Sequence, residues 1–321
     1  LEEVKSRLIE EPFTEREIEG EIPILGKISD NVSRKVKAQY EENPYPRWVK
    51  TGIPAKAKSI SEICIEEKIH LHSESIKKAI NPNILIAGCG TGQHSINTAS
   101  RFSNCQVTAV DLSLASLAYA KRKTTELGIA NIKYLQADIL ELDQLEQKFD
   151  IIDSVGVLHH MDEPMAGWKI LTNLLKPSGL MRIGLYSELA RQHIVEARKE
   201  ISLMKMGTSK SEMREFRRTI SESNDINHQL LTKSKDFFSL SMLRDLIFHV
   251  QEHRFTIPQI KKCLDELNLK FCGFTTKDAI SNLKRFRGRD ADIYDISLWH
   301  LYEKSNPQTF AAMYQFWCQK I

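Results

Sequence analysis

The sequence is short of the features that mark a membrane span, a secreted chain or a nucleic-acid binder. No apolar run in its 321 residues approaches the roughly 20 needed to cross a bilayer, and no signal-peptide pattern opens it. Neither charge is in excess: 45 Lys and Arg stand against 42 Asp and Glu, a net of +3, where a nucleic-acid binder shows a basic surplus or stripe. The six cysteines, Cys64, Cys89, Cys105, Cys263, Cys272 and Cys318, contain no C-x-x-C pair, which argues against a structural zinc site. Several fall in predicted strands or apolar helix faces, where free thiols pack as small hydrophobes, so a reducing, cytoplasmic compartment is expected. There is no internal repeat and no low-complexity tract. What is present is a globular composition, 41% hydrophobic and 27% charged, enough for one large domain with insertions or two modest ones.

The pattern along the chain predicts four regions. Residues 1–80 read as a helical cap, with helices near 30–42 and 59–69 around an extended "NPYPRW". Residues 81–187 alternate short apolar runs with helix-length segments, the pattern of βαβ units in a parallel sheet, with strands near 84–88, 106–110, 132–135, 150–155 and 180–186. Residues 188–255 read as a helical insertion forming a lid. Residues 256–321 hold a last helix and two late strands, near 269–276 and 313–319, around a second insertion at 277–308. In "FTIPQIKKCLDELN", Thr256 is placed to cap and Pro258 to sit in the first turn of that last helix.

The stretch "NILIAGCGTGQHSINTA" (83–99) runs from an apolar strand through Gly88, Gly90 and Gly92 into a helix. Such a turn holds a nucleotide-like ligand. A triphosphate loop needs Lys after its last glycine, and Gln93 stands there instead. A dinucleotide fingerprint needs its third glycine at the same position, and again finds Gln93. The pattern left is G-x-G-x-G. A second strand ends in Asp111, 19 residues after Gly92, where an acid is placed to accept both hydroxyls of a ribose. A third ends in "QADI", where Asp138 can accept an adenine amine while Ile139 packs on the ring.

This order of elements resembles the class I S-adenosylmethionine-dependent methyltransferases over residues 82–187. The resemblance implies a seven-stranded, mostly parallel Rossmann-like sheet with helices on both faces and its last strand antiparallel. It implies S-adenosylmethionine as cofactor and S-adenosylhomocysteine as product. Gly88, Gly90, Gly92, Asp111, Leu112, Asp138, Ile139 and Val155 would hold that cofactor. One departure is Ser178, in a "KPSG" turn where the family usually has glycine. More loosely, "QYEENPYPRW", "RDLIFHVQEHRFTIPQI" and "NPQTFAAMYQFWCQK" look like a bacterial subgroup often fused behind tetratricopeptide repeats. The chain opens on Leu1 rather than Met, so an upstream segment, repeats included, is expected.

Candidate acceptor residues follow. His159 and His160, just past the fourth strand, are placed to take a proton from a hydroxyl or amine, although one such histidine can serve only to shape the loop. Tyr186, ending the fifth strand, is a candidate for orienting the acceptor. "NPYP" (43–46) resembles the N-P-P-Y loop of amino-methylating enzymes but precedes the glycine turn. Tyr45, Arg47 and Trp48, with Tyr40, are therefore expected to close a cap over the methionine end, or to form a stiff linker with an aromatic anchor. "HVQEH" (249–253) matches the inverted zinc-protease pattern, but no third ligand is evident. It is expected to be a helix at the pocket, with His249 or Glu252 touching substrate, and no metal is expected. Arg285, Arg287 and Arg289, after a predicted helix, would grip a phosphate or carboxylate or simply be solvated. The acceptor is expected to be a small molecule through an oxygen or nitrogen atom; a protein or peptide, or a silent binding module, are the alternatives. Nucleic acid and membrane are disfavoured.

Overall fold

The apolar runs become strands buried on both faces, which is why they read as continuous rather than alternating hydrophobic segments. In the computed structural model, which describes residues 2–321, they are β1 (Asn83–Ala87), β2 (Gln106–Asp111), β3 (Ile132–Gln136), β4 (Phe149–Val155), β5 (Leu175–Leu185), β6 (Leu269–Phe274) and β7 (Tyr314–Lys320). They form one sheet in the order β3-β2-β1-β4-β5-β7-β6. All neighbours are parallel except at β7, which runs antiparallel to both β5 and β6. The seven-stranded, mostly parallel architecture expected from the sequence is the one that forms.

Helices α1 (Glu2–Lys5), α2 (Glu11–Glu19), α3 (Asn31–Glu42) and α4 (Ile60–Glu66) precede the sheet; α5 (Gln93–Arg101), α6 (Leu114–Glu126) and α7 (Pro164–Leu174) connect its first five strands. Between β5 and β6 come α8 (Gln192–Leu203), α9 (Lys210–Glu222), α10 (Ile226–Leu231), α11 (Leu240–Ile247) and α12 (Ile257–Glu266); α13 (Lys277–Arg287) and α14 (Ile296–Ser305) lie between β6 and β7. Alternate strand residues feed different cores. Leu85, Ile152 and Ile183 join Trp168 and Trp299 on one face, while Ile84, Ile86 and Ile151 join Ile63 and Trp317 on the other. A third core, around Ile194, Phe216, Leu243 and Phe248, belongs to α8, α9 and α11. No helix among the described residues is long and apolar enough to cross a membrane.

Three local expectations are corrected. "HVQEH" is not helical: α11 stops at Ile247, and residues 249–254 have no regular secondary structure before Phe255 bridges to Ser187, just beyond β5. There the Phe255 amide donates to Tyr186 O at 2.8 Å and Glu188 N donates to Phe255 O at 2.8 Å. Arg285 and Arg287 lie in the last turn of α13 rather than after it. "KPSG" runs on as the first part of β5; its Ser178 has φ +61°, the left-handed conformation that explains glycine's preference there. The Ser178 carbonyl accepts from Gln319 Nε2 at 2.9 Å.

Candidate active site

A cavity of about 260 Å3 opens at the carboxyl ends of β1 to β5, where an α/β sheet of this kind binds ligands. One end is built from contiguous motifs. Gly88, Gly90, Asp111, Leu112, Asp138, Ile139 and Val155 all line it. Gly92 does not; it caps α5 at φ +82°, and a Cβ there would lie 2.5 Å from that of Ala120. Gly90 is exact in another way: with φ +51°, any Cβ would meet the Tyr45 carbonyl at 2.6 Å.

The acids at this end are held open to a ligand by backbone donors. Asp111 accepts from Gly90 N at 2.7 Å and Ser113 N at 3.0 Å. Burial nonetheless raises its pKa, and nearby Glu41 adds to the effect. Glu41 comes from α3 and accepts from Leu114 N and Ala115 N, at 2.9 and 3.0 Å, at the start of α6. Asp138 accepts from Leu140 N at 3.0 Å.

The roof is the N-terminal region. Ser33, Val36 and Tyr40 on α3, with Tyr45 and Pro46, line the cavity. Trp48 is buried beside it as an anchor: its Nε1 donates to Thr91 O at 3.2 Å and its ring meets Tyr119 edge-on at 5.9 Å. Thr91 Oγ1 in turn donates to Pro46 O. Trp48 and Arg47 do not reach the cavity lining.

The histidine pair divides. His160 lines the cavity, whereas His159 is sealed behind Tyr186, with stacked rings 3.8 Å apart. His160 Nδ1 donates to Gln251 O at 2.6 Å, an assignment that leaves Nε2 as the acceptor. His249 stacks on His160 at 3.6 Å instead of meeting the cavity itself. Burial holds His159, His160 and His249 well below the usual imidazole range, aided by one another and by Arg191, so all three are neutral. Glu252 is also withdrawn: fully covered, it pairs with Arg191 at 2.7 Å. That guanidinium lies 3.5 Å over the Tyr186 ring, leaving the rim of Tyr186 for the cavity.

The sequence missed Asp245. It lies on α11, 59 residues from Tyr186 and 205 from Tyr40, and is buried in the cavity wall. Tyr40 donates to its Oδ1 at 2.6 Å, and His249 Nε2 lies 3.1 Å from the same phenol oxygen. Burial is the main cause of a carboxyl pKa pushed up to about 6. The signal in the sequence was an acid flanked by Leu243, Leu246 and Ile247 in an amphipathic helix. Met313, from the segment before β7, also lines this end. No cluster of metal-ligating side chains occurs among the described residues.

Residues 84–179 match a family described as a methyltransferase domain. The match runs from β1 into the first part of β5, the stretch that carries the glycine turn, Asp111 and Asp138. An uncharacterised protein of Synechococcus sp. is 29% identical over 233 residues, covering 69% of this chain and 56% of its own length. (S)-coclaurine N-methyltransferase of Papaver somniferum is 31% identical over 113 residues, 35% of this chain and 32% of that protein. Among solved structures, PKMT2 from Rickettsia typhi in complex with AdoHcy gives a TM-score of 0.61 at 17% identity, covering 84% of this chain and 55% of that one, a likeness of fold. The chain thus spans little more than half the length of these relatives, or less. The glycine turn, Asp111 and Asp138 fit an adenosine: a half-buried acid and a buried one face one cavity beside glycines at which any Cβ would clash.

Proposed function

We propose that this chain transfers a methyl group from S-adenosylmethionine to an oxygen or nitrogen nucleophile of a small molecule. One observation carries the reading. A single capped cavity joins the glycine turn, Asp111 and Asp138 at one end to Tyr40, Tyr45, Tyr186, His160 and Asp245 at the other. The methyltransferase named among the relatives supports the same class of reaction. When bound, S-adenosylmethionine supplies a methyl carbon on a charged sulfonium with a neutral thioether as leaving group.

The protein's part is then positioning, dehydration and proton removal. Asp111 accepts the ribose hydroxyls, and Asp138 with Ile139 takes the adenine. The neighbouring Leu112 and Val155 supply apolar wall. Tyr45 and Pro46, clamped to the glycine turn through Thr91, exclude water from above. At the acceptor end Tyr186 orients the nucleophile and the neutral His160 offers Nε2 as acceptor. A cytosolic site of action is part of the proposal, supported by six free, buried cysteines, as is membership of the repeat-fused bacterial subgroup.

The test is calorimetry of S-adenosylhomocysteine on wild type and on Asp111→Ala. Wild type is expected to bind, and the variant to bind at least about tenfold more weakly, for one lost charged hydrogen-bonding group. Absence of binding by both proteins overturns the proposal.

A further inference from the structure

The acceptor end holds a carboxylate with no cation of its own. Asp245 is 6% exposed, lines the cavity and takes a single hydrogen bond, from Tyr40 to Oδ1. No Lys, Arg or His nitrogen among the described residues pairs with it. The charged groups it feels most are Asp236, Arg191 and Glu252. Arg191 is already bound to Glu252 through both Nε and Nη2, at 3.1 and 2.7 Å. Asp236, which lies against the Tyr45 hydroxyl, has no ion pair among the described residues either and adds to the negative charge.

Removing a carboxylate from water without a counter-ion costs several kcal/mol, so a fold keeps one in a cavity wall only where something outside the chain completes it. The shape of the surroundings says what that is. His249 Nε2 and Asp245 Oδ1 both meet the Tyr40 hydroxyl, which fixes that oxygen of the carboxylate and leaves Oδ2 for a ligand. The phenol rings of Tyr40 and Tyr45 line the same end, and aromatic faces attract cations. The nearby imidazoles are neutral and do not compete.

We propose that the acceptor is an amine, which enters as its ammonium ion, pairs with Asp245 and yields its proton to Asp245 Oδ2. In that step one N–H bond breaks, an O–H bond forms on the carboxylate, and the electron pair stays on nitrogen as the nucleophile. Desolvation favours the neutral pair over the ion pair, lowering the amine's affinity for the proton and raising the carboxyl's. A hydroxyl acceptor brings no positive charge and leaves the carboxylate uncompensated. The role of Asp245 in turnover rests on the methyltransferase reading; its selection of a cation does not.

The two are separable by experiment. Binding of n-butylamine and of 1-butanol is measured by ligand-observed NMR on wild type and Asp245→Asn, each with and without S-adenosylhomocysteine. S-adenosylhomocysteine affinity is measured on both proteins as well. Wild type should prefer the amine by tenfold or more, and Asp245→Asn should lose that preference while binding S-adenosylhomocysteine as wild type does. Equal binding of amine and alcohol by wild type overturns the proposal, as does a preference that survives in the variant. Failure of S-adenosylhomocysteine to bind sinks the methyltransferase reading alone, because the amine preference is still read without it. A variant that does not fold leaves the wild-type comparison to decide.

Discussion

The two ends of the cavity are built on opposite principles. At the glycine end, Gly88, Gly90, Asp111, Leu112, Asp138, Ile139 and Val155 all lie within or just beyond strands of the parallel sheet. At the tyrosine end, Tyr40 comes from the N-terminal cap, His160 and Tyr186 from strand ends, Asp245 from the inserted helices and Met313 from the approach to β7. The first end is a local motif mounted on a rigid sheet. The second is an assembly of distant segments, one of which, α11, packs in a core separate from the sheet's two. Such a division lets one scaffold keep its cofactor chemistry while its acceptor pocket is rebuilt through insertions.

The strongest way to break that comparison is Phe216→Ala. Phe216 is 1% exposed at the centre of the inserted helical core, edge-on to Phe248 at 5.9 Å. Its truncation should cost about 3–5 kcal/mol of stability in that core. Amine binding should fall with it, whereas S-adenosylhomocysteine affinity should hold within about a factor of two if the ends are independent. Thermal unfolding and calorimetry on one preparation check this, and affinities falling together would show a single cooperative unit.

A somewhat smaller effect follows from Asp245. Its carboxyl releases a proton near pH 6 in the folded chain, against an ordinary value of 3.8 when unfolded. Between those values the folded state binds more protons, so stability falls as pH rises through that window and is level above it. Asp245→Asn removes the cost. It should stabilise by up to about 3 kcal/mol at pH 8 and by much less at pH 4, read from unfolding midpoints at both. An equal gain at both pH values would mean that the carboxylate is not the strained group.

Tyr40→Phe should show the smallest change, about 1 kcal/mol of stability for one hydrogen bond. The preference for amine over alcohol should survive, since the charge remains, and should weaken by a few-fold. Complete loss of the preference would move the recognition from Asp245 to the phenol.

The glycine end was legible in the sequence because backbone geometry dictates it. Gly88, Gly90 and Gly92 all have positive φ, and strand ends 20 to 25 residues apart bring Asp111 and Asp138 to one edge of the sheet. The strands themselves were legible from apolar runs, and the last one from its late position. "HVQEH" misled because helical spacing of two histidines says nothing about where the preceding helix stops. Here α11 ends at Ile247, Phe248 still packs in the inserted core, and the chain then bridges back to Ser187 through Phe255. His159 and His160 could not be told apart either, since adjacent residues in a turn point different ways and only the neighbours decide which one faces the cavity.

By itself, then, the sequence determined the sheet, its order of elements and the acids beside the glycine turn, because these follow from periodicity and from the few residues that tolerate left-handed backbone. The tertiary structure alone decided which polar groups are left without partners. Arg191 chose Glu252, Tyr40 reached Asp245 across 205 positions, and Asp245 was buried without a cation. Burial and pairing are properties of neighbours in space, and no local pattern encodes which distant side chain arrives to satisfy a charge.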